Sequence, residues 1–383
     1  MHNVFLSHNN IISSLGFDSQ AVIDQLAQEV SGLQLINEPK ILSRSFYSSI
    51  IPEKKLQKAY SELETTQAHT RLERMLLVSL HKTLQNSKLE LTDRVGLIVS
   101  TTKGNIDVLE ENSSFPKERA YLDTLGEQLK LHFGFKTDPI VLSNACVSGV
   151  LAIAVAKRLI RQNRFDHVFV VAGDLVTKFI ISGFNSFQAL SEVPCRPYCR
   201  TRSGINIGEV ATSVLVTKDK SVLVDEAVTI LGEASCNDAN HISGPSRTGE
   251  GLYRSVISAL KEARLSAQDI DYISAHGTAT MFNDEMESIA FNRAGLGDTP
   301  LNSLKGYFGH TLGASGLLET IIGMHSLHRN TLIASKGFQE LGVSKPLNII
   351  EKTTTKKMTT FLKTASGFGG SNTSAVFRSV STT

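Results

Sequence analysis

Two apolar helices, each following a strand and a tight turn, constrain the fold of this chain more than any other sequence feature. The first contains residues 150–156, which have no charged side chain before Lys157, and the second covers residues 314–328. A helix that is apolar on all sides is typical of a protein interior, because none of its faces is suited to water. We therefore expect an α/β body built from two similar units, each with its own buried helix.

Strands and helices alternate along the whole chain, and the second half repeats the alternating order of the first. The predicted strands of the two halves lie at residues 95–100, 139–142, 167–172, 211–216, 222–231, 270–274, 301–304, 357–364 and 373–378. Continuous apolar runs such as residues 95–100 are typical of buried parallel strands. We expect residues 107–135 to form a polar helical segment on the surface. Residues 174–207 are expected to be rich in loops. No linker separates the halves, 1–218 and 219–383, so we expect one compact body.

Charge and composition exclude several classes of function. The formal net charge of +2 gives no electrostatic field for nucleic acid or for a membrane surface. No stretch of about 18 apolar residues occurs, so no membrane span is expected. The N-terminus also lacks a basic segment followed by an uninterrupted apolar run, which argues against a secretion signal.

The cysteines indicate a reducing environment. Four of them, Cys146, Cys195, Cys199 and Cys236, lie at irregular spacing in a chain of 383 residues, which is not a disulfide framework. We therefore expect a cytoplasmic location. Cys195 and Cys199 could be considered a metal-binding pair, but no second cysteine or histidine pair follows at ligand spacing, so no metal site is predicted.

Cys146 lies in the junction between the strand at residues 139–142 and the first buried helix. This geometry lifts one side chain out of the backbone bend and places it near the positive end of a helix dipole. Such a position favours the thiolate and lowers a pKa that is ordinarily about 8.5. A single buried cysteine is more often a small structural apolar residue, so its function has to be judged together with the other motifs.

Three further stretches have residues suited to chemistry. His276 follows the strand at residues 270–274 and precedes small and hydroxyl residues, a place where α/β sheets bind ligands. His310 lies in a glycine-rich turn before the second buried helix, and this turn fits neither a P-loop nor a dinucleotide fingerprint. Phe368 lies in a Gly-Phe-Gly-Gly turn whose small neighbours would let its ring swing. One loop histidine is usually structural, but the combination of these features with Cys146 favours catalysis.

These motifs together resemble the β-ketoacyl-acyl carrier protein synthases, the elongating condensing enzymes of the thiolase superfamily. The resemblance rests on Asn-Ala-Cys-Val-Ser-Gly at 144–149, His-Gly-Thr-Ala-Thr at 276–280 with Asn283, Asp284 and Glu287, Ser-Leu-Lys at 303–305, Gly-His-Thr-Leu-Gly-Ala-Ser-Gly at 309–316 with Glu319, and Gly-Phe-Gly-Gly-Ser-Asn at 367–372. It spans almost the whole chain. One cysteine followed by two histidines distinguishes this sequence from those of the initiating synthases, which have asparagine at the position of His310.

The resemblance implies a thiolase-like fold, in which two duplicated α/β halves form a five-layered α-β-α-β-α body. It also implies an acyltransferase that performs decarboxylative Claisen condensation in fatty acid, polyene or polyketide elongation. Cys146 would carry the acyl chain, and its backbone N–H and that of Phe368 would form the oxyanion hole. His276 and His310 would hold the malonyl thioester and stabilise its enolate. Lys305 and Glu319 would be a supporting pair, and Phe368 would also be a gate.

The resemblance further implies the partners. Acyl and malonyl groups would arrive on the phosphopantetheine of an acyl carrier protein, so no cofactor of the chain's own is expected. The chain would form a homodimer, or a heterodimer with a homologous ketosynthase or chain-length factor. Because carrier proteins are acidic, we expect docking through basic residues near the pocket, with Arg200 and Arg202 as candidates.

Several positions depart from the family pattern around the pocket. Val147 stands where a smaller residue is usual, Met281 where proline is common and Ser366 where phenylalanine is frequent. Residues 101–104, Thr-Thr-Lys-Gly, replace a more glycine-rich run. These differences concern chain length and partner rather than the reaction, and they resemble synthases of bacterial polyene or specialised polyketide pathways.

Two other classes remain as alternatives. The first is a chain-length factor, which pairs with an active synthase without catalysing the reaction; the intact Cys146, His276 and His310 argue against it. The second is a thiolase or an initiating synthase that uses coenzyme A. His310 and the lack of a second cysteine near the C-terminus argue against that class.

Overall fold

The computed structural model describes residues 3–111, 113–238 and 244–380. The strands of the first half are β1 Phe5–Ile12, β2 Gln34–Ile36, β3 Phe46–Ser49, β4 Val95–Ser100, β5 Ile140–Leu142, β6 His167–Asp174, β7 Ile207–Gly208 and β8 Val210–Thr217. The helices of the first half are α1 Ser19–Ala27, α2 Glu53–Ser61, α3 Arg71–Ser87, α4 Leu122–Phe133, α5 Ser148–Arg161 and α6 Lys178–Ser186.

The second half continues the alternation of strands and helices. Its strands are β9 Val228–Asn237, β10 Tyr272–Ser274, β11 Leu301–Asn302, β12 Thr331–Leu332, β13 Thr354–Thr355, β14 Thr360–Gly367 and β15 Ser371–Ser379. Its helices are α7 Glu250–Ala263, α8 Met281–Arg293, α9 Lys305–Phe308 and α10 Ser315–Arg329.

Ten of the strands form one mixed sheet in the order β11-β10-β14-β15-β9-β1-β8-β6-β4-β5. The sheet consists of two sets of five strands, one from each half, and the two sets meet where β1 pairs with β9. This junction is short, because only Phe5 with Thr229 and Leu6 with Val228 are paired there. The sheet can therefore bend at the junction, so that its two parts lie on opposite sides of a shared core.

The helices complete five layers. Helices α5 and α10 contact each other and strands of both sets, so they form the central layer. Helix α3 packs on the outer face of β1, β6 and β8, while α7 packs on the outer face of β9 and β15. The order is helix, sheet, helix pair, sheet, helix, which confirms the predicted five-layered arrangement. The division at residue 218 stays a prediction.

The two central helices are so close that backbone meets backbone. A Cβ atom on Gly149 of α5 would lie 2.5 Å from the backbone nitrogen of Leu317, and one on Gly316 would lie 2.7 Å from the backbone nitrogen of Val150. Only glycine permits this approach. The contact holds together the starts of α5 and α10, and these are the helices that follow the Cys146 and His310 turns.

The parallel strands bring the predicted site residues to one edge. In the first set β4 is parallel to β5 and β6, and in the second set β10 is parallel to β11 and β14. The segments with Cys146, His276 and Lys305 follow the carboxyl ends of β5, β10 and β11. Loops at such ends are where α/β sheets bind ligands.

The strand predicted at 301–304 ends at Asn302 and the strand predicted at 357–364 begins at Thr360, and three further segments differ more. In the segment 107–135 only residues 122–133 form an α-helix, and its inner face is buried through Leu125 and Leu129 against the core. The segment 174–207 contains helix α6, which the small and polar residues around it obscured. The strand predicted at 222–231 begins only at Val228, because a 3₁₀ turn ends at Val222 and a second turn occupies residues 225–226.

Among the described residues, no helix has the length and apolar character needed to cross a membrane.

Candidate active site

Cys146 lies in a tight turn between β5 and α5. Ala145 has φ +45°, a left-handed conformation that is strained for a residue with a Cβ atom. The Ser148 hydroxyl donates to the Ala145 carbonyl at 2.7 Å and accepts the Asn144 N–H at 2.7 Å, so the turn is closed by one side chain. Helix α5 begins at Ser148, two residues after Cys146, so the cysteine lies in the junction as predicted.

The predicted lowering of the cysteine pKa is wrong. Burial raises the pKa of Cys146 to about 12, although the positive charge of Lys305 opposes this shift. Cys146 is only 8% exposed. A thiolate buried to this extent loses more hydration free energy than its interaction with the helix dipole provides. The Cys146 thiol is therefore neutral at neutral pH, so its proton would have to leave before or during any attack by the sulfur.

Two buried carboxylates on α8 hold the backbone around His276. Glu287 accepts the N–H of His276 at 3.0 Å and the N–H of Gly277 at 2.7 Å. Asp284 accepts the N–H of Thr278 at 3.0 Å. Burial raises the pKa of both carboxyl groups, that of Asp284 to about 7. The sequence pattern includes both acids, but only the structure indicates that they position the histidine.

His310 has a fixed tautomer. Its Nδ1 accepts the N–H of Leu312 at 3.0 Å and lies 3.1 Å from the Ser315 hydroxyl. Since Nδ1 accepts a backbone N–H, the proton of the neutral ring is on Nε2, which makes that atom a hydrogen-bond donor. Leu312 adopts φ +53° to present its N–H, so the glycine-rich turn is shaped around the ring.

The structure brings the three predicted catalytic residues together. One donor atom from each of Cys146, His276 and His310 lies within 4.8 Å of the others, and the two histidine rings are 5.1 Å apart at an interplanar angle of 80°. Burial, followed by the positive charge of Lys305, holds the pKa of each histidine well below its usual range. Both rings are therefore neutral donors at neutral pH.

The same three atoms are close enough to ligate one metal ion, but the donor set does not fit one. A metal on Nε2 of His310 would require the ring proton on Nδ1, which already accepts the Leu312 N–H. The ammonium group of Lys305 adds a repelling charge close by. Cys195 and Cys199 do not join this cluster; the Cys195 thiol instead donates to the Lys305 carbonyl at 3.1 Å.

The predicted supporting pair is present and fully buried. The Lys305 ammonium group is bonded to Glu319 Oε1, and both side chains are at most 3% exposed. A buried ion pair is strongly destabilised when one partner is removed, because the other charge is left alone. Lys363, which lies outside the motifs identified in the sequence, forms a second ion pair with the same carboxylate.

A cavity of about 490 Å³ opens onto the site. Cys146, His276 and His310 line it. The other described walls come from α6, α8, the turn between β14 and β15 (the last turn), the His276 loop, and the segments at 187–189, 203–205, 238 and 244–246. Phe368 is 37% exposed and packs against Phe184 and Phe187 of the α6 region, at ring distances of 5.7 and 5.5 Å. The α6 rings were missed because that segment was expected to be loop-rich.

The residue before Phe368 contacts the cysteine turn. A Cβ atom on Gly367 would lie 3.1 Å from the backbone nitrogen of Cys146. The backbone of the last turn therefore runs beside the Cys146 N–H group, as an oxyanion hole formed by Cys146 and Phe368 requires. Met281 and Ser366, two of the departures from the family pattern, also line the cavity, whereas Val147 is buried in the core.

The run at 101–104 surrounds an acid that sequence reasoning missed. Asp174, at the end of β6, is fully buried and accepts the hydroxyl groups of Thr101 at 2.9 Å and Thr102 at 3.0 Å. It also accepts the N–H of Gly313 at 2.7 Å, just before α10. The sequence did contain a signal for Asp174, namely an acidic residue at the end of a buried apolar strand. Asp174 thus links the first half to the turn that contains His310.

One of the two candidate docking arginines is inaccessible. Arg202 is buried, donates to the carbonyls of Cys199 and Gly342, and lies 3.8 Å from Asp284. Its side chain supports the loops around the site and is not available to a carrier protein. Arg200 is exposed and pairs with Glu340 on the surface, so it remains a candidate.

Comparisons with known proteins agree with the fold and with the geometry of the site. The family model described as "Beta-ketoacyl synthase, N-terminal domain" matches residues 49–221, and "Beta-ketoacyl synthase, C-terminal domain" matches residues 227–339. The ketosynthase ApeO in complex with its chain length factor ApeC, from Xenorhabdus doucetiae, has a TM-score of 0.87 at 24% identity, with 99% of this chain and 98% of that chain covered.

Two curated relatives align with the chain over part of their length. The 3-oxoacyl-[acyl-carrier-protein] synthase 2 of Rhizobium meliloti (strain 1021) is 34% identical, covering 61% of this chain and 59% of the relative. The actinorhodin polyketide putative beta-ketoacyl synthase 1 of Streptomyces coelicolor (strain ATCC BAA-471 / A3(2) / M145) is 30% identical, covering 63% and 55%. The chain thus spans less than two thirds of either relative. It belongs to the β-ketoacyl synthase family.

Proposed function

We propose that the chain is an elongating β-ketoacyl-acyl carrier protein synthase. The observation that supports this most directly is the buried cluster of Cys146, His276 and His310, whose reactive atoms lie within 4.8 Å of one another at the cavity. One nucleophile and two neutral donors are the groups that an acyl transfer followed by a decarboxylative condensation requires.

The first half-reaction loads the enzyme. The Cys146 sulfur attacks the acyl thioester of a loaded carrier protein, a bond forms between Sγ and the acyl carbon, and the carrier thiol leaves with the cysteine proton. The N–H groups of Cys146 and Phe368 stabilise the oxyanion of the tetrahedral intermediate. Phe368 gates the cavity through its contacts with Phe184 and Phe187.

The second half-reaction forms the carbon–carbon bond. His276 and His310 donate hydrogen bonds to the thioester carbonyl of malonyl-carrier protein, so that loss of CO2 leaves a stabilised enolate. The enolate carbon attacks the acyl carbon on Cys146, the Sγ–carbon bond breaks, and the sulfur takes up a proton. The neutral histidines stabilise the enolate without readily protonating it, because their conjugate acids are disfavoured by burial.

The proposed partners follow from the same chemistry. An acyl carrier protein delivers both groups on phosphopantetheine, and the chain needs no cofactor of its own. We expect a homodimer or a heterodimer with a homologous subunit, working in fatty acid, polyene or polyketide elongation in the cytoplasm. A relative in fold was solved as a ketosynthase with its chain length factor, so a non-catalytic chain-length factor is the second candidate. The intact cluster favours the catalytic role.

Variants that separate the half-reactions test this proposal. Cys146→Ala should abolish acyl loading and condensation but leave release of CO2 from malonyl-carrier protein. His310→Ala should retain acyl loading and lose about 10²- to 10³-fold in decarboxylation, as expected for the loss of an oxyanion donor. Intact mass reports acyl-Cys146, and trapped CO2 reports decarboxylation.

The outcomes separate the candidates. If wild-type protein alone neither loads acyl groups nor releases CO2, and in a complex with a homologous synthase only the synthase becomes acylated, it is a chain-length factor. Condensation by Cys146→Ala at the wild-type rate would exclude this site, and equal loss of both half-reactions in both variants would mean that the roles are wrongly assigned.

A further inference from the structure

Lys363 of β14 is a completely buried lysine beside the catalytic cluster. Its ammonium group donates to the carbonyls of Thr364 at 2.6 Å, Ser274 at 3.0 Å and Ala275 at 3.3 Å. An ammonium group has three protons and the neutral amine has only two, so three acceptors match the charged form. Ser274 and Ala275 are the two residues directly before His276, so this contact fixes the backbone that leads into the histidine.

The fourth neighbour of Lys363 is the carboxylate of the supporting pair. Lys363 Nζ lies 2.7 Å from Glu319 Oε2. This contact is an ion pair rather than a directed hydrogen bond, because Oε2 has no hydrogen-bond partner of suitable geometry among the described residues. Lys305 binds the other oxygen of Glu319. Two buried ammonium groups thus share one carboxylate, which leaves an excess positive charge beside the histidines.

We infer that Lys363 is a positioning residue of the active site, which anchors the backbone before His276 and adds a buried positive charge that assists enolate formation. The inference rests on the proposed condensation reaction. A lysine that served only to join β14 to β10 would not need to share Glu319 with Lys305. Such sharing places two ammonium groups on one carboxylate in the interior, where a further anion is stabilised. The charge of Glu287 of α8 also acts on Lys363, but Glu319 is the carboxylate paired with it.

The ionisable groups around the histidines come from five segments. Cys146 comes from the turn before α5, Lys305 from α9, Glu319 from α10, Lys363 from β14, and the carboxylates of α8 lie behind the His276 loop. Burial, then Lys305, and also Lys363 lower the pKa of both histidines. Burial lowers the pKa of Lys363 itself, and Glu319 opposes this.

Lys363→Met tests the charge while keeping an unbranched side chain of similar length. Loss of the charge raises the pKa of both histidines, so that, as the pH is lowered, the imidazoles become protonated at a higher pH than in the wild type. The fall in the rate of malonyl-carrier decarboxylation at low pH, the acid limb of the pH profile, should move upward by about one pH unit. At neutral pH kcat should fall by about tenfold with little change in KM, less than the cost of a direct oxyanion donor.

Lys157→Met is the matched control. Lys157 is also buried and pairs with a carboxylate, Glu262, but at the contact between α5 and α7. Its loss should lower stability without moving the acid limb. If Lys363→Met lowers the rate but leaves the acid limb at the wild-type pH, Lys363 has only a structural role and the inference is overturned. Circular dichroism at each pH restricts the comparison to folded protein.

A second readout does not depend on the proposed activity. Diethyl pyrocarbonate modifies neutral imidazole, and peptide mass spectrometry measures modification at His276 and His310 against pH. The midpoint should rise by about one pH unit in Lys363→Met and fall in Glu319→Gln, which removes a negative charge. An unchanged midpoint in both variants would overturn the inference even if the protein had no synthase activity. Absent activity with shifted midpoints would instead reject the proposed function alone.

Discussion

At the scale of single residues, burial decides the chemistry of the site. Cys146, His276 and His310 are all shifted towards their neutral forms, because each loses hydration in the interior and no direct ion pair restores it. The charges in the site are instead on Lys305, Lys363 and Glu319, and the Glu319 carboxylate contacts both ammonium groups. The site therefore holds neutral reacting groups next to a fixed charged cluster.

The raised pKa of Cys146 predicts its reactivity. The thiolate fraction of a group with a pKa of about 12 rises about tenfold for each pH unit between pH 7 and 9. Iodoacetamide alkylation of Cys146, measured on its peptide by mass spectrometry, should rise in the same way without a plateau. Lys305→Met should slow alkylation further, because Lys305 lowers this pKa. A plateau below pH 8 would contradict the assignment of a neutral resting thiol.

At the scale of elements, the site depends on how closely α5 and α10 approach each other. The two helices start at the turns with Cys146 and His310, and Gly149 and Gly316 let their backbones touch. Asp174 adds a polar link to the turn before α10. The distance between nucleophile and histidine is thus set by packing between two halves of the chain.

Substitution at this contact predicts a large loss of stability. Gly149→Ala would place a methyl group 2.5 Å from the Leu317 nitrogen, and backbone atoms cannot move aside as a flexible side chain can. We expect the free energy of unfolding to fall by about 1–3 kcal/mol or more, measured by denaturant titration. Gly183→Ala in α6 is the control, since its Cβ would meet no described atom within 4 Å. The control should be neutral or stabilising by about 0.5–1 kcal/mol; a similar loss in both variants would contradict this reasoning.

At the scale of the whole molecule, the ten-stranded sheet ends in β5 on one side and β11 on the other. β5 leads directly into the Cys146 turn and its three residues are only half-buried. An unpaired edge strand offers N–H and C=O groups to a second chain. An assembly through this edge would place the partner close to the active site.

We therefore expect an obligatory dimer. Sedimentation or light scattering should give twice the 41.7 kDa of one chain, either for the protein alone or for a complex with a homologous subunit. Activity should fall when dilution dissociates the dimer, because a partner at the β5 edge would lie close to the Cys146 turn. A monodisperse monomer that keeps full activity at low concentration would contradict the prediction.

Features that depend on neighbouring residues could be predicted from the sequence alone. The apolar strand at 95–100, the buried helices α5 and α10, and the motifs around Cys146, His276 and His310 are all local patterns, and the five-layered fold followed from their resemblance to a known family. The same patterns identified Lys305, Glu319 and Phe368 before any contact was known.

Features that depend on contacts between distant segments became visible only in the folded chain. The pKa of Cys146 rises because the other half of the chain covers the thiol, which a helix position alone does not indicate. Arg202 is unavailable to a partner because loops far away in sequence accept its hydrogen bonds. Lys363 joins the site because β14 pairs with β10. Desolvation and charge pairing are properties of the assembled interior, and no local pattern contains them.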